Sequence, residues 1–148
     1  MDTDDLSRFR FTVDLDPAGA FNAVHLDAIG IAGLIHRARG AYLTDGVGFD
    51  WAGMRAIGGN IPMRRVEVDY RSEVFEAVML RAGVRAVSRG RTSFVFEEAL
   101  WIPGDGDRLV ATGRSVHVAV RAGLGAVPIP DDFWERVEAF EGRTIPPG

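Results

Sequence analysis

Between about Asn22 and Leu43 the chain carries its one long helix-like stretch, and this stretch restricts the fold more than any other feature. Leu26, Ile29, Gly33, Leu34, Ala38 and Ala41 recur at helical spacing, which makes one face apolar and calls for its burial. Gly30, Gly33 and Gly40 interrupt the stretch, and each costs about 1 kcal/mol of helix propensity relative to Ala. Glycine is tolerated inside a helix where something approaches closely, so the pattern predicts a helix packed against a sheet. Strands must supply that sheet, because the rest of the chain is patterned for them.

Arg8 to Leu15 alternates, with Phe9, Phe11 and Val13 in register, and ends at Asp16-Pro17. Thr44 to Gly59 holds one short helix at most, from Trp51 to Ile57. After Pro62 the period changes to two: Val66, Val68 and Tyr70 alternate with Arg65, Glu67 and Asp69. A run from Val74 to Val87 places Val78, Leu80, Ala82 and Val84 on one face. Ser88-Arg89-Gly90-Arg91 reads as a turn, and Thr92 to Ile102 as the next strand. Pro103 to Asp107 is a hairpin loop, followed by a strand from Leu109 to Val120. Pro128-Ile129-Pro130 breaks the chain, and Asp131 is placed to cap a terminal helix through Phe140. The order predicts an α+β domain over residues 1–148, with one antiparallel sheet of about five strands wrapped on one central helix.

Composition excludes several chemistries. Every basic residue of the 148-residue chain is Arg, which removes lysine nucleophiles and Schiff bases. The absence of Cys removes disulfides, thiolate catalysis and cysteine-ligated metals. The three His residues show no ligand spacing, so no metal and no cofactor is expected. A net charge of −4 argues against a nucleic-acid partner. The acidic start Met1-Asp2-Thr3-Asp4-Asp5 is unlike a signal peptide, and no run suits a bilayer, so a cytoplasmic protein without membrane association is expected.

The chemically suggestive segment is Asp14-Leu15-Asp16-Pro17-Ala18-Gly19, a loop carrying carboxylates into the start of the long helix. A helix start offers unpaired N–H groups for a developing oxyanion, and a carboxylate offers a base or nucleophile. An Asp-Pro turn is the plain alternative. Gly113-Arg114-Ser115-Val116-His117 lacks the glycine of a nucleophile elbow and sits mid-strand, so a serine triad is not supported, although Ser115 and His117 share one face.

The element order, together with that loop, His36-Arg37-Ala38-Arg39, Val66-Glu67-Val68-Asp69-Tyr70, Gly90-Arg91-Thr92-Ser93-Phe94 and Val127-Pro128-Ile129-Pro130-Asp131, resembles the hotdog-fold acyl-CoA thioesterases of the 4-hydroxybenzoyl-CoA type. The resemblance runs from Phe9 to about Phe140 and implies that Asp16 is the catalytic carboxylate. It implies an oxyanion donor at the helix start, near Ala23 or Val24. It also implies a homodimer or homotetramer with the site at a subunit interface, completed by residues around Asn60 to Met63 or Thr92. The spacing from Asp16 to His36-Arg37-Ala38-Arg39 is several residues longer than that family's. The implied substrate is an acyl-CoA or acyl-carrier-protein thioester.

Asn22 and His25 stand where helix-start residues act. His25 keeps open an enoyl-CoA hydratase reading, in which it would need a carboxylate partner; Ala20 occupies that motif position and Asp27 is the nearby substitute. A non-catalytic acyl or acyl-CoA binder is a further alternative, as is an enzyme acting on carrier-protein thioesters of polyketide synthesis. Arg89 and Arg91, with Thr92 and Ser93, suit the CoA nucleotide phosphates or form a solvated turn. Phe21, Tyr70 and Trp51 line an acyl pocket or simply belong to the core.

Overall fold

The alternating segments pair into one sheet. In the computed structural model, which describes residues 5–21, 25–104 and 106–148, β1 is Phe11–Leu15, β3 Met63–Tyr70, β4 Leu80–Arg89, β5 Ser93–Ile102 and β6 Arg108–Val118. They form an antiparallel sheet in the order β1-β4-β5-β6-β3. Three two-residue strands, β2 (Gly59–Asn60), β7 (Val120–Arg121) and β8 (Gly125–Ala126), make a small second sheet. Helix α1 covers Ala28–Ala41 and runs on as a π-helical segment, Tyr42–Val47, before α2 (Trp51–Ala56); α3 is Asp131–Glu141. Ile31, Leu34, Ile35, Ala38 and Tyr42 of the long helix are buried against Leu80, Ala82, Val84, Phe94 and Phe96 of the strands. This is the expected α+β arrangement, a five-stranded antiparallel sheet around a central helix, and it matches the hotdog fold.

Several local expectations are corrected. The helix begins at Ala28 rather than about Asn22, and its N-cap is Asp27, whose carboxylate accepts the Gly30 N–H at 2.9 Å. Ile29 and Gly33 face solvent, Ile29 with 82% of its surface exposed. Of the three glycines only Gly30 meets a close neighbour: a Cβ there would lie 2.4 Å from the Ala20 carbonyl oxygen, whereas Gly33 and Gly40 face open space. The run from Val74 becomes a strand only at Leu80. Pro130 precedes the last helix without a side-chain cap, and Asp131 is its first residue. Phe9 leaves the face of Phe11: it packs with Trp101 and Ala99 in a separate cluster, its ring seated over Gly83.

What fastens the helix to the sheet is polar. Arg39 of α1 pairs with Glu98 of β5, its Nε 2.9 Å from Oε2, with both side chains nearly excluded from solvent. Ser115 Oγ donates to the same Oε2 at 2.5 Å and lies 2.9 Å from His117 Nε2. The single hydroxyl proton of Ser115 is committed to the carboxylate, so the proton between Ser115 and His117 belongs to the imidazole Nε2. That arrangement is the reverse of an activated serine, which must give its proton to histidine. Burial pushes the Glu98 carboxyl upward, opposed by Arg39. A second buried pair, Tyr42 Oη donating to Glu141 at 2.7 Å, ties the helix to α3.

His117 gives this network a pH signature. Burial first, then the charges of Arg39 and His36, lowers its pKa from 6.5 to about 4. Between those values the unfolded chain binds the proton and the folded chain does not, so stability rises with pH across that window. Urea denaturation from pH 7 to 4 should show stability falling as the solution is acidified, and His117→Gln should flatten that fall. A variant profile parallel to the natural one would contradict the assignment.

Candidate active site

The candidate site grows from the way the chain enters α1. β1 ends at Leu15, and Asp16 Oδ1 then accepts the Ala18 N–H at 2.9 Å, an Asx turn that orients the carboxylate over the loop. A single 3₁₀ turn follows at Ala18–Ala20, and Phe21 bridges to Leu26. The Ala20 carbonyl lands on Gly30, where no side chain intervenes. The loop bearing Asp16 is thereby packed onto the first turn of the helix. That turn presents the N–H groups of Ala28 and Ile29, which have no intrahelical acceptor, while the Gly30 N–H is taken by Asp27.

The two loop carboxylates differ. Asp14 is held by Arg81 through contacts of 2.7 and 3.3 Å across the β1–β4 ladder. The Arg81 hydrogen bond keeps the Asp14 carboxyl below its ordinary range. Both are exposed; Asp14 is engaged by Arg81 across the ladder, and Asp16 is the one that the turn presents.

Two hollows flank the helix start. One, about 320 Å³, is lined by His25, Asp27, Tyr70 and Glu73; the other, about 500 Å³ and shallower, by Phe21, Asp27, Gly30 and Arg37. Phe21, His25 and Tyr70 are thus brought to one end of the molecule with the Asp16 loop. Tyr70 Oη reaches the Ala28 carbonyl at 3.4 Å, and the His25 ring lies 5.9 Å from that of Phe75. Asn22 and Ala23 lie outside the described residues, as does Val24.

Arg89, Arg91, Thr92 and Ser93 stand elsewhere. The β1–β4 register sets Leu15 opposite Leu80, and the strand from Leu80 to Arg89 is about 30 Å long at roughly 3.3 Å per residue. Within one subunit the turn is therefore at the opposite end of the sheet from Asp16. Arg89 stacks over Trp134 at 4.7 Å and pairs with Glu138 at 3.6 Å, which makes it a clamp for α3. The backbone carbonyls of Arg91 and Thr92 accept from Ile129 and Ala119, and that of Ser93 from Gly90. Trp51 packs its ring 4.5 Å from Phe49, beside an apolar pocket of about 260 Å³ at this same far end.

Asp27, offered by the sequence only as a substitute carboxylate beside His25, caps the helix, and Gly30 is the one of the three helix glycines where a close approach occurs. An Asp followed three residues later by a glycine, just ahead of an apolar run, is the available signal for the helix start. Among the described residues no group of His, Asp and Glu is arranged to hold a metal ion. No helix among them is long and apolar enough to cross a membrane.

The sequence fits the pattern of the thioesterase-like superfamily over residues 11–137. A thioesterase from Thermus thermophilus, solved with coenzyme A and Zn, is 25% identical with a TM-score of 0.76, covering 95% of this chain and 100% of that one. A 1,4-dihydroxy-2-naphthoyl-CoA thioesterase from Synechocystis shares the fold at 14% identity and a TM-score of 0.75, over 86% of this chain and 94% of that one. A thioesterase-superfamily protein from Jannaschia does so at 20% identity and a TM-score of 0.74, over 91% and 84%. No curated protein matches the chain.

The contact at Gly30 gives a test of the site's geometry. Gly30→Ala sets a methyl against the Ala20 carbonyl, and overpacking of this kind costs about 1–3 kcal/mol. The variant should fold with a lowered Tm and lose turnover out of proportion, because the Asp16 loop is pushed off the helix start. Full turnover in the variant would show that the contact does not set the site.

Proposed function

The chain belongs to the thioesterase-like superfamily, whose chemistry is thioester hydrolysis, and from that premise we propose that it hydrolyses acyl-CoA thioesters with Asp16 as the reacting carboxylate. The observation that carries this reading is the packing of the Asp16 turn, through Ala20 and Gly30, onto the first turn of α1. On this reading the thioester carbonyl is seated between the helix-start N–H groups and the loop that bears the Asp16 carboxylate. The donors on this reading are the N–H groups of Ala28 and Ile29; the donor near Ala23 or Val24 that the resemblance implied lies outside the described residues.

Asp16 has two routes to the same products. As a base it takes a proton from water, and the hydroxide adds to the carbonyl carbon. As a nucleophile it adds directly, and water cleaves the resulting anhydride. In both, the carbonyl oxygen becomes an oxyanion facing the helix start, the C–S bond breaks as the carbonyl re-forms, and the thiolate leaves and is protonated. The favourable end of the helix dipole stabilises that negative charge.

The proposal includes a second copy. β3 is an unpaired sheet edge, exposed along nearly all of its length, and it carries Met63, Val66 and Tyr70 outward. An open edge of this kind is an invitation to pair. Antiparallel pairing of two β3 strands about a two-fold axis makes a homodimer with one continuous sheet. It sets Asn60 to Met63, and the end of the sheet that carries Arg91 and Thr92, toward the other copy's helix start. That placement reconciles the far position of those residues with a role in the site.

A second reading draws on the hollow that His25 and Asp27 share. An imidazole and a carboxylate at a helix start suit the addition of water to an enoyl-CoA. Free-thiol release and loss of enoyl absorbance separate the two chemistries. The protein should release thiol from at least one of acetyl-, octanoyl- and benzoyl-CoA and leave crotonyl-CoA unhydrated. Hydration without thiol release would overturn the assignment in favour of the His25 reading.

A further inference from the structure

The shallower of the two hollows at the helix start runs on along α1, and everything that lines it belongs to one chain. Its lining extends from Asp27 to Arg37, and at about 1.5 Å per residue the hollow follows the helix for roughly 15 Å. Phe21, Ile29 and Leu34 make its walls apolar. Two charged residues stand at its ends. Asp27, at the near end, accepts the Gly30 N–H. Arg37, at the far end, forms no hydrogen bond or ion pair among the described residues, and its guanidinium is the one cation in the lining.

Between those ends lies Gly33. A glycine inside a helix costs stability relative to alanine, and no neighbour within the chain accounts for this one: a Cβ there would meet nothing within 4 Å. Gly30, by contrast, admits the Ala20 carbonyl. What the missing side chain at Gly33 provides is room in the lining of the hollow. An apolar middle and an unpaired guanidinium at the far end match one ligand chemistry, a short hydrocarbon spacer that ends in an anion. The planar fork of arginine suits a carboxylate through two parallel hydrogen bonds. The pantetheine arm of coenzyme A fits this lining poorly, because the side chains of Phe21, Ile29 and Leu34 offer its amides no partner.

We propose that Arg37 is a specificity-determining residue of the hydrolysis, binding a carboxylate at the far end of the acyl group, and that the preferred substrates are thioesters of short dicarboxylic acids such as glutaric acid. The inference rests on the hydrolysis reading above, which seats the reacting carbonyl at the N–H groups of Ala28 and Ile29. Ile29 also lines the hollow, so an acyl chain leaving that carbonyl enters it directly. From Ile29 to Arg37 the helix advances about 12 Å. The arginine side chain leans back toward the helix N-terminus, which shortens the gap to the span of a short acyl chain. A methyl-ended acyl group of the same length meets the apolar walls but leaves Arg37 unengaged. Gly33 keeps the path between the two ends open.

The test reads binding and turnover separately. S-(4-Carboxybutyl)-coenzyme A and S-pentyl-coenzyme A, thioethers that cannot be hydrolysed, are titrated calorimetrically beside coenzyme A into the natural protein, Arg37→Gln and Gly33→Leu. The natural protein should bind the carboxybutyl compound at least about tenfold more tightly than the pentyl compound, the scale of a hydrogen bond to a charged group. Arg37→Gln should reduce that preference to below about threefold while leaving the affinity for coenzyme A unchanged. Gly33→Leu, placed where a Cβ meets no neighbour, should keep the fold by circular dichroism and weaken both thioethers several-fold relative to coenzyme A. A carboxybutyl preference that the natural protein lacks, or that survives Arg37→Gln, overturns the proposal. An equal loss of all three ligands in Arg37→Gln also overturns it and assigns Arg37 to a phosphate of coenzyme A. Undiminished thioether binding by a folded Gly33→Leu protein overturns it as well. Thiol release from glutaryl-CoA by the natural protein is followed in parallel. Its absence beside an Arg37-dependent preference defeats the hydrolysis reading and keeps the carboxylate site; its presence beside a preference insensitive to Arg37→Gln does the reverse.

Discussion

Arg39 and Glu98 meet inside the core, where a helix would ordinarily rest on hydrocarbon alone. Their pairing, completed by Ser115 and His117, fixes the rotation and the axial position of α1 on the sheet. Apolar packing by Leu34, Ile35 and Ala38 holds the helix down but tolerates sliding, because dispersion contacts are not directional. A buried guanidinium and carboxylate tolerate very little, since losing one partner of such a pair typically costs about 3–5 kcal/mol. The position of the helix start, some 11 residues before Arg39 or roughly 17 Å along the axis, inherits this registration. So does the loop that leans on it.

At that start the chain brings together complementary partial charges with very little machinery. Asp27 satisfies one first-turn donor, and Gly30 removes the side chain that would keep the preceding loop away. Asp16 is turned by its own Asx contact, while Asp14, two residues earlier, is spent on Arg81. Two exposed carboxylates two residues apart therefore differ in their partners: Asp14 is paired with an arginine across the ladder, and Asp16 is held by a backbone N–H of its own turn. The exposed β3 edge is the surface that the proposed pairing with a second copy uses.

Much of this was legible in the sequence, for identifiable reasons. Period-two alternation in Val66 to Tyr70 and in the two long strands after Arg91 reports burial on one face, so the sheet was readable. The start of the helix was less so: Asn22 is a good capping residue by chemistry, and it is the bond from the Gly30 N–H to the Asp27 carboxylate that marks Asp27 as the cap of α1. The extra length between Asp16 and Arg39 was the sequence's trace of that later start. The face of the helix was misjudged at Ile29 and Gly33, because their spacing fits the helical period yet they point away from the sheet. The Glu98–Ser115–His117 cluster was half visible, since strand alternation put Ser115 and His117 on one face. Glu98 enters through the β5–β6 register, which no single segment reveals.

The central claim is that the carboxylate of Asp16, on the loop that meets the helix start through Ala20, performs the hydrolysis. It is tested most directly by comparing kcat for thiol release in the natural protein, Asp16→Asn and Asp14→Asn, with the fold of each verified by circular dichroism. The account predicts that Asp16→Asn lowers kcat by at least about 100-fold, the scale of a lost acid–base or nucleophilic group, while Asp14→Asn stays within a few-fold of the natural enzyme. Retained turnover in a folded Asp16→Asn protein would contradict it and return Asp16 to the role of a turn residue.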